Sequence, residues 1–105
     1  MCGRFTLTRS AAEVAAHFEL ETAPAHAPRF NVAPTQPVLA IRAAADGKRR
    51  EAAVLSWGLV PFWARHARDA AKQINARVET LTERPAFREA AERRRCLVPA
   101  DGFYE

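Results

Sequence analysis

The spacing of apolar residues near the N-terminus is typical of an amphipathic helix. Ser10 and Glu13 have the spacing of a capping box, in which each side chain bonds the backbone N–H of the other residue. Val14 and Phe18 lie four residues apart and form an apolar stripe. We therefore predict a helix from Ser10 to about Leu20, followed by a proline-containing loop.

The middle of the chain predicts a β-hairpin, and a second helix follows it. Residues 37–42 and 52–57 are two apolar runs of strand length, separated by a turn at Asp46 and Gly47. Residues 82–93 have helical character, with Pro85 tolerated in the first turn. Helices and strands alternate without the spacing of parallel βαβ units, so the predicted fold class is α+β.

The last ten residues predict short strands. Residues 96–99 are apolar and predict a buried strand, in which the Cys96 thiol would be inert. Asp101 and Gly102 form a turn, and residues 103–105 have the composition of a strand that is just starting. The length of 105 residues corresponds to one domain. We expect residues 1–105 to be the N-terminal part of that single domain, with an exposed apolar sheet edge.

The charge of the chain favours an anionic partner. Lys and Arg number 16 against 12 Asp and Glu, giving a net charge of +4, and only Lys48 and Lys72 are lysines. Arginine suits phosphate and stacks on bases, so nucleic acid is the partner that this composition favours. No apolar run is long enough to span a membrane, and no secretory signal is visible, so we expect a cytoplasmic protein. The two cysteines lack metal-site spacing, and neither a metal nor a cofactor is expected.

Cys2 is the residue with the most distinctive chemistry. Removal of Met1 would leave a free α-amine and a thiol on adjacent carbons. The reference pKa values of these groups are about 8 and 8.5, so both are partly nucleophilic near neutral pH. The amine condenses with an aldehyde to an imine, and the adjacent thiol closes on the imine carbon to give a thiazolidine. Alone, however, a cysteine after Met1 is also compatible with an incidental residue.

Five segments in order along the chain carry a family resemblance. They are Cys2–Phe5, Arg29–Pro34, Trp57–Trp63, Ile74–Thr80 and Arg95–Glu105. In this order and spacing the set resembles the SRAP (SOS response-associated peptidase) family of abasic-site processing proteins. The resemblance covers essentially the whole chain. It implies an α+β fold with a mixed, mostly antiparallel sheet or partly closed barrel and flanking helices.

The resemblance also implies a function in the DNA damage response. Family members bind single-stranded DNA with an abasic site, including at junctions with duplex, and crosslink to it through the N-terminal cysteine. The implied activities are DNA–protein crosslinking, lyase chemistry and release of the protein's own initiator Met. The implied protein is bacterial, cytoplasmic and associated with the nucleoid when bound to DNA. It would be a monomer when the domain is complete.

Three residues match the catalytic positions of the family. Cys2 matches the crosslinking nucleophile, and Asn75 matches the asparagine that positions the abasic sugar. Glu105 matches a glutamate that takes up and returns protons during imine formation. Without the motifs, Asn75 would be interpreted as a turn residue and Glu105 as a solvated charge at a strand end.

Further residues match DNA contacts of the family. Arg4 and Arg77 match arginines that bind backbone phosphates. Phe62 and Trp63 match an aromatic loop that stacks on bases beside the lesion, and core packing is the alternative role for such residues.

The Arg29–Pro34 segment and Trp57 complete the residues singled out by the motifs. Asn31 and Pro34 lie in a segment that forms the pocket wall near Cys2, where a purely structural role is equally compatible. Trp57 is expected to belong to the core.

The sequence departs from the family pattern at one point and leaves other functions open. The family has a catalytic histidine motif further along the chain, and none of His17, His26 and His66 matches it. We therefore expect weak crosslinking by these 105 residues alone. The alternatives are a cysteine peptidase of the N-terminal nucleophile type, a non-enzymatic DNA-binding module and an inactive truncated remnant.

Overall fold

Five short strands and two helices form the described part of the chain, residues 2–105 of this computed structural model. In chain order they are strand β1 (Phe5–Leu7), helix α1 (Ala11–Phe18), strands β2 (Arg29–Val32), β3 (Pro37–Ala43) and β4 (Arg50–Ser56), helix α2 (Pro85–Arg93) and strand β5 (Gly102–Phe103). Two 3₁₀ segments, Ala67–Lys72 and Val78–Thr80, lie between β4 and α2. The α+β class is confirmed, with two antiparallel sheets and few helices.

Helix α1 begins at the predicted capping box. The Ser10 hydroxyl accepts a hydrogen bond from the Glu13 backbone N–H at 3.2 Å, and the Glu13 carboxylate accepts from the Ser10 N–H at 3.4 Å. The helix ends at Glu19, which has the left-handed φ of 57° typical of a helix C-terminus. Val14 is the buried residue of this helix and packs in a cluster with Leu7 and residues of β3.

Strand β3 joins the two apolar clusters of the protein because its side chains alternate between faces. Leu39 and Ile41 pack with Leu7 and Val14 in one cluster. Val38 points to the other face and packs with Phe5 and Val32 in the second cluster, here called the Phe5 cluster. The predicted hairpin is confirmed, with β3 and β4 paired from Pro37–Ser56 to Ala43–Arg50.

Strand β1 lies at the centre of the other sheet, in the order β2-β1-β5. Phe5 pairs with Val32 of β2 on one side and with Phe103 of β5 on the other. The sequence pattern does not predict β1 or β2 as strands, because three and four residues are too few to establish an alternation. Phe30 and Phe103, on the outer strands, are each 65% exposed, so the expected apolar sheet edge is present among residues 2–105.

The prediction of a buried strand at residues 96–99 is wrong. Leu97 makes an isolated bridge to Ile41, and no continuous strand forms there. Leu97 and Val98 are 57% and 48% exposed, and the Cys96 thiol is exposed too. Pairing with β3 at one residue leaves residues 96–98 exposed, and within this segment only Pro99 is buried.

The second helix begins three residues later than predicted. Helix α2 starts at Pro85, and residues 82–84 form a turn and bend before it. Proline is favoured in the first helical turn because its missing N–H has no partner there in any case. Neither helix within residues 2–105 has the length and the apolar composition of a membrane span.

Asp101 fastens β5 to the end of β1. Its carboxylate accepts hydrogen bonds from the Thr6 hydroxyl at 2.6 Å, from the Thr8 hydroxyl at 2.9 Å and from the backbone N–H of Thr8 and Arg9. These bonds, led by the one from Thr6, lower the pKa of Asp101 from 3.8 to about 2. The residue following Asp101, Gly102, then pairs with Thr6.

We expect the Asp101 contacts to contribute to acid resistance. A depressed pKa means that the stabilisation is complete above pH 3.8 and is lost as the pH falls through about 2. Asp101→Asn should therefore flatten the fall in unfolding free energy over this acid range. Urea denaturation at a series of pH values measures the effect. Parallel pH profiles for the two proteins would contradict it.

Candidate functional site

The site is built around Cys2, which precedes β1. Cys2 is half-buried and packs against the Phe5 cluster. Its Sγ lies 3.8 Å from the backbone oxygen of Arg4, at the limit of a weak S–H···O hydrogen bond. The thiol is therefore ordered by the sheet without being sealed in the core. The predicted removal of Met1 concerns a residue outside those described.

Asn75 is the residue that the fold brings to Cys2. Its Nδ2 donates a hydrogen bond of 2.9 Å to the backbone oxygen of Cys2, across 73 residues of sequence. Both residues are half-buried. The contact fixes the carbonyl next to the atoms that would react, and it uses a side chain that does not titrate.

Glu105 lies two residues after Phe103, the last residue of β5 to pair with β1. Phe5 pairs with Phe103 and Thr6 with Gly102, and the Tyr104 N–H donates to the Arg4 oxygen at 3.1 Å. Continued past Phe103, the last paired residue, this antiparallel register would bring Glu105 level with Gly3, the residue after Cys2. The Glu105 side chain is exposed. The approach of this carboxylate to the site therefore depends on the β1–β5 register.

Arg4 lies between Cys2 and the sheet with its side chain exposed. Its guanidinium donates to the Gly3 oxygen at 2.8 Å, which leaves further N–H groups of the same fork for an anion. The neighbouring Tyr104 reaches across the sheet, where its hydroxyl donates to the Phe30 oxygen at 2.7 Å. The Tyr104 contact ties β5 to β2 and stiffens the frame around Arg4.

Arg77 lies two residues beyond Asn75, so the chain itself holds it near the site. Its side chain is exposed, and its backbone leads into the second 3₁₀ segment.

Asn31 is exposed on β2, and Pro34 is half-buried in the turn that follows β2. This turn is anchored by a hydrogen bond of 2.9 Å from Thr35 N–H to the Trp57 oxygen.

Phe62 and Trp63 form an exposed aromatic pair in the loop after β4. Their rings lie edge to face, with centroids 4.9 Å apart and an interplanar angle of 84°. Phe62 is 88% exposed and Trp63 is 51% exposed, so neither ring is a core residue. Among residues 2–105, no hydrogen bond or ring contact joins this pair to Cys2 or Asn75.

Trp57 has a second role beyond the predicted core packing. It is half-buried at the edge of the Phe5 cluster, and its indole N–H donates to the Ile74 oxygen at 3.2 Å. A buried tryptophan N–H usually requires a partner, and this general rule is the signal that the sequence offers. The partner itself lies 17 residues away and is not visible in the sequence.

None of the residues between 2 and 105 provides a group of three His, Cys, Asp or Glu side chains that could hold a metal ion. The residues that the sequence motifs singled out carry a thiol, an amide, a carboxylate and guanidinium groups.

The fold and site define an α+β protein with a half-buried cysteine at position 2, held by a distant asparagine. A family model described as SOS response associated peptidase (SRAP) matches residues 1–105. The chain belongs to this family, as the resemblance of its motifs implied.

Similar proteins come from bacteria and animals. The abasic site processing protein YoaM of Bacillus subtilis (strain 168) is 44% identical over 108 residues, which cover 100% of this chain and 47% of YoaM. The abasic site processing protein HMCES of Pongo abelii is 37% identical over 90 residues, covering 76% of this chain and 25% of HMCES.

A crystal structure of a protein from Bordetella bronchiseptica has the same fold, with a TM-score of 0.74 and 29% identity. The match covers 99% of this chain and 50% of that one. The chain thus spans about half the length of the bacterial relatives it matches.

Proposed function

We propose that this protein processes abasic sites in single-stranded DNA by forming a covalent thiazolidine through Cys2. The observation that carries the proposal is the hydrogen bond from Asn75 to the Cys2 oxygen, because it orders the residue whose amine and thiol would react. The names of the relatives YoaM and HMCES, both abasic site processing proteins, support the same substrate. The family description as a peptidase is compatible with release of Met1, which would free the amine.

The proposed reaction joins the aldehyde of a ring-opened abasic sugar to both groups of Cys2. The α-amine attacks the aldehyde carbon, and loss of one water gives an imine. The thiol then adds to the imine carbon, its proton passes to the nitrogen, and a five-membered ring closes. Because the thiol is tethered to the imine, this second step has a high effective molarity.

Two further residues serve this reaction in our proposal. The Asn75 amide oxygen accepts from a hydroxyl of the opened sugar while its Nδ2 holds Cys2. The Glu105 carboxylate, two residues beyond the β1–β5 pairing, takes a proton from the attacking amine and returns it to the hydroxyl that leaves as water.

The DNA strand would lie across the exposed arginines and aromatic residues. Arg4 and Arg77 bind phosphates on either side of the lesion, and Phe62 and Trp63 stack on flanking bases, including at a junction with duplex. Asn31 and Pro34 form the wall of the pocket. Residues 1–105 act in this proposal as the N-terminal part of a single cytoplasmic domain.

Incubation with single-stranded DNA carrying one abasic site tests the proposal. We expect an adduct that survives heating on a denaturing gel, with a mass equal to the protein without Met1 plus DNA minus one water. The matched control is the same DNA with a tetrahydrofuran at that position, which has no aldehyde and should give no adduct. Absence of an adduct from the aldehyde-bearing DNA would overturn the proposal.

Arg77→Gln is expected to weaken DNA binding by removing one phosphate contact. The salt dependence of binding reports the number of phosphates neutralised, so the slope of log K against log salt should fall by about 1. Fluorescence anisotropy with tetrahydrofuran DNA measures this without crosslinking. Arg42→Gln is the charge-matched control, because Arg42 is paired with Glu51 at 2.9 Å on the hairpin. Equal slopes for the two variants would remove Arg77 from the interface.

A further inference from the structure

We infer that Trp57 is a positioning residue for this site, acting on the Asn75 segment through a hydrogen bond to Ile74 and on Cys2 through the Phe5 cluster, against which both residues pack. The inference rests on the proposed function and extends it. In our proposal Trp57 does not touch the reacting atoms. Its effect is indirect and passes through Cys2 and Asn75. The argument rests on the contacts of the indole ring and on the backbone that holds it.

The first contact fixes the segment that carries Asn75. The Trp57 Nε1–H donates to the Ile74 oxygen at 3.2 Å in a partly buried setting. Ile74 is the residue directly before Asn75, so this bond holds the peptide from which the Asn75 side chain projects. A second bond, from Leu59 N–H to the Gln73 oxygen at 3.0 Å, holds the same segment one residue earlier.

The second contact reaches the Cys2 side of the site. The Trp57 ring lies against Phe5, with centroids 5.3 Å apart and a tilt of 56°. Phe5 is 7% exposed and belongs to the cluster against which both Cys2 and Trp57 pack. The same indole therefore contacts a neighbour of each partner of the Asn75–Cys2 hydrogen bond: Ile74 before Asn75, and Phe5, in the cluster against which Cys2 packs.

The backbone of Trp57 is itself anchored, so the ring has a fixed base. Its N–H donates to the Gln36 oxygen at 3.0 Å, and its oxygen accepts from Thr35 N–H at 2.9 Å. Both partners lie in the turn between β2 and β3. The Asn75 segment contains no strand of its own. The anchored Trp57 ring therefore fixes the position of this segment relative to the two sheets.

Trp57 could fill space in the core or position the Asn75 segment. The indole N–H distinguishes these two roles, because only positioning requires it. A space-filling ring would tolerate loss of the N–H, whereas a positioning ring would not. The indole N–H is the only polar group of the tryptophan side chain, so a ring without it cannot bond the Ile74 oxygen. The decisive variant must therefore keep the bicyclic shape and remove only the donor.

Trp57→3-benzothienylalanine is that variant, because sulfur replaces the N–H in a ring of nearly the same shape. We expect the crosslinking rate on abasic DNA to fall about tenfold, the size of one lost hydrogen bond. Affinity for tetrahydrofuran DNA should remain close to that of the unmodified protein, while the thermal unfolding midpoint should fall by several degrees, because the Ile74 oxygen loses its partner in a partly buried setting. An unchanged crosslinking rate would overturn the inference.

A double-mutant cycle with Asn75→Ala tests the route of the effect. If Trp57 acts through Asn75, the benzothienyl analogue should cause no further loss in the Asn75→Ala background. Full additivity of the two losses would assign Trp57 a separate role and overturn the inference.

The Asn75 side-chain NH₂ signal in a ¹⁵N NMR spectrum gives a readout that does not depend on crosslinking. We expect it to move towards the free-amide position in the analogue, and an unmoved signal would also overturn the inference. If the unmodified protein forms no adduct while this signal still responds to the analogue, the proposed function fails and the positioning role of Trp57 stands.

Discussion

Cys2→Ala is expected to reduce the heat-stable adduct with abasic DNA to background. The variant retains its α-amine and so still forms an imine, but the imine hydrolyses because no thiol closes the ring. Borohydride reduction should therefore still trap a covalent product from Cys2→Ala. The two measurements separate imine formation by the amine from ring closure by the thiol, because only the unmodified protein has a thiol tethered to the imine.

Cys96→Ala is the matched control for this experiment, since it removes the other thiol of the chain. Cys96 is exposed and follows α2, and it is outside the proposed site. We expect unchanged adduct formation from Cys96→Ala and unchanged affinity of both variants for tetrahydrofuran DNA. A heat-stable adduct that survives Cys2→Ala but not Cys96→Ala would identify Cys96 as the nucleophile and refute our assignment of Cys2.

Gly58→Ala is expected to cause the largest loss of stability among the single substitutions considered. Gly58 has a φ of +125°, a backbone conformation that residues with a side chain rarely adopt. A Cβ at this position would lie 2.5 Å from the backbone oxygen of Ala70, which cannot move without shifting the 3₁₀ segment. Backbone strain alone should lower the free energy of unfolding by roughly 1–3 kcal/mol, and the clash adds to this loss.

Gly47→Ala is the matched control for Gly58→Ala. Gly47 also has a positive φ, of +70°, but a Cβ there would meet no atom within 4 Å. We therefore expect a smaller loss, on the order of 1 kcal/mol, from strain alone. Urea denaturation of both variants measures the difference. Equal losses at the two positions would show that the Ala70 contact relaxes at no cost.

The Gly58→Ala substitution would also affect the candidate site, because Gly58 lies between Trp57 and Leu59, which both bond the segment before Asn75. Trp57 holds the Ile74 oxygen, and Leu59 holds the Gln73 oxygen. The close approach of Gly58 to Ala70 keeps the first 3₁₀ segment against this strand end. Shifting that segment would displace the residues that lead to Asn75, so stability and site geometry depend on the same contact.

Local sequence signals determined much of the fold. The capping box at Ser10 and Glu13 predicted the start of α1, since its two hydrogen bonds involve residues three apart. The apolar runs at residues 37–42 and 52–57, with a turn at Asp46 and Gly47 between them, predicted the hairpin because its two strands are close in sequence. The segment 96–99 was mispredicted because apolar composition states what a residue can bury and not whether a partner covers it.

For the candidate site, the sequence by itself determined the reactive groups: the position of Cys2, the family to which its motifs belong, and the residue types of Asn75 and Glu105. Only the tertiary structure decided that Asn75 bonds the Cys2 oxygen from 73 residues away and that Trp57 bonds the oxygen of Ile74, the residue before Asn75. The physical reason is range. Capping and turn formation depend on neighbours a few residues apart, whereas these contacts depend on how the sheets, the turn before β3 and the 3₁₀ segments pack.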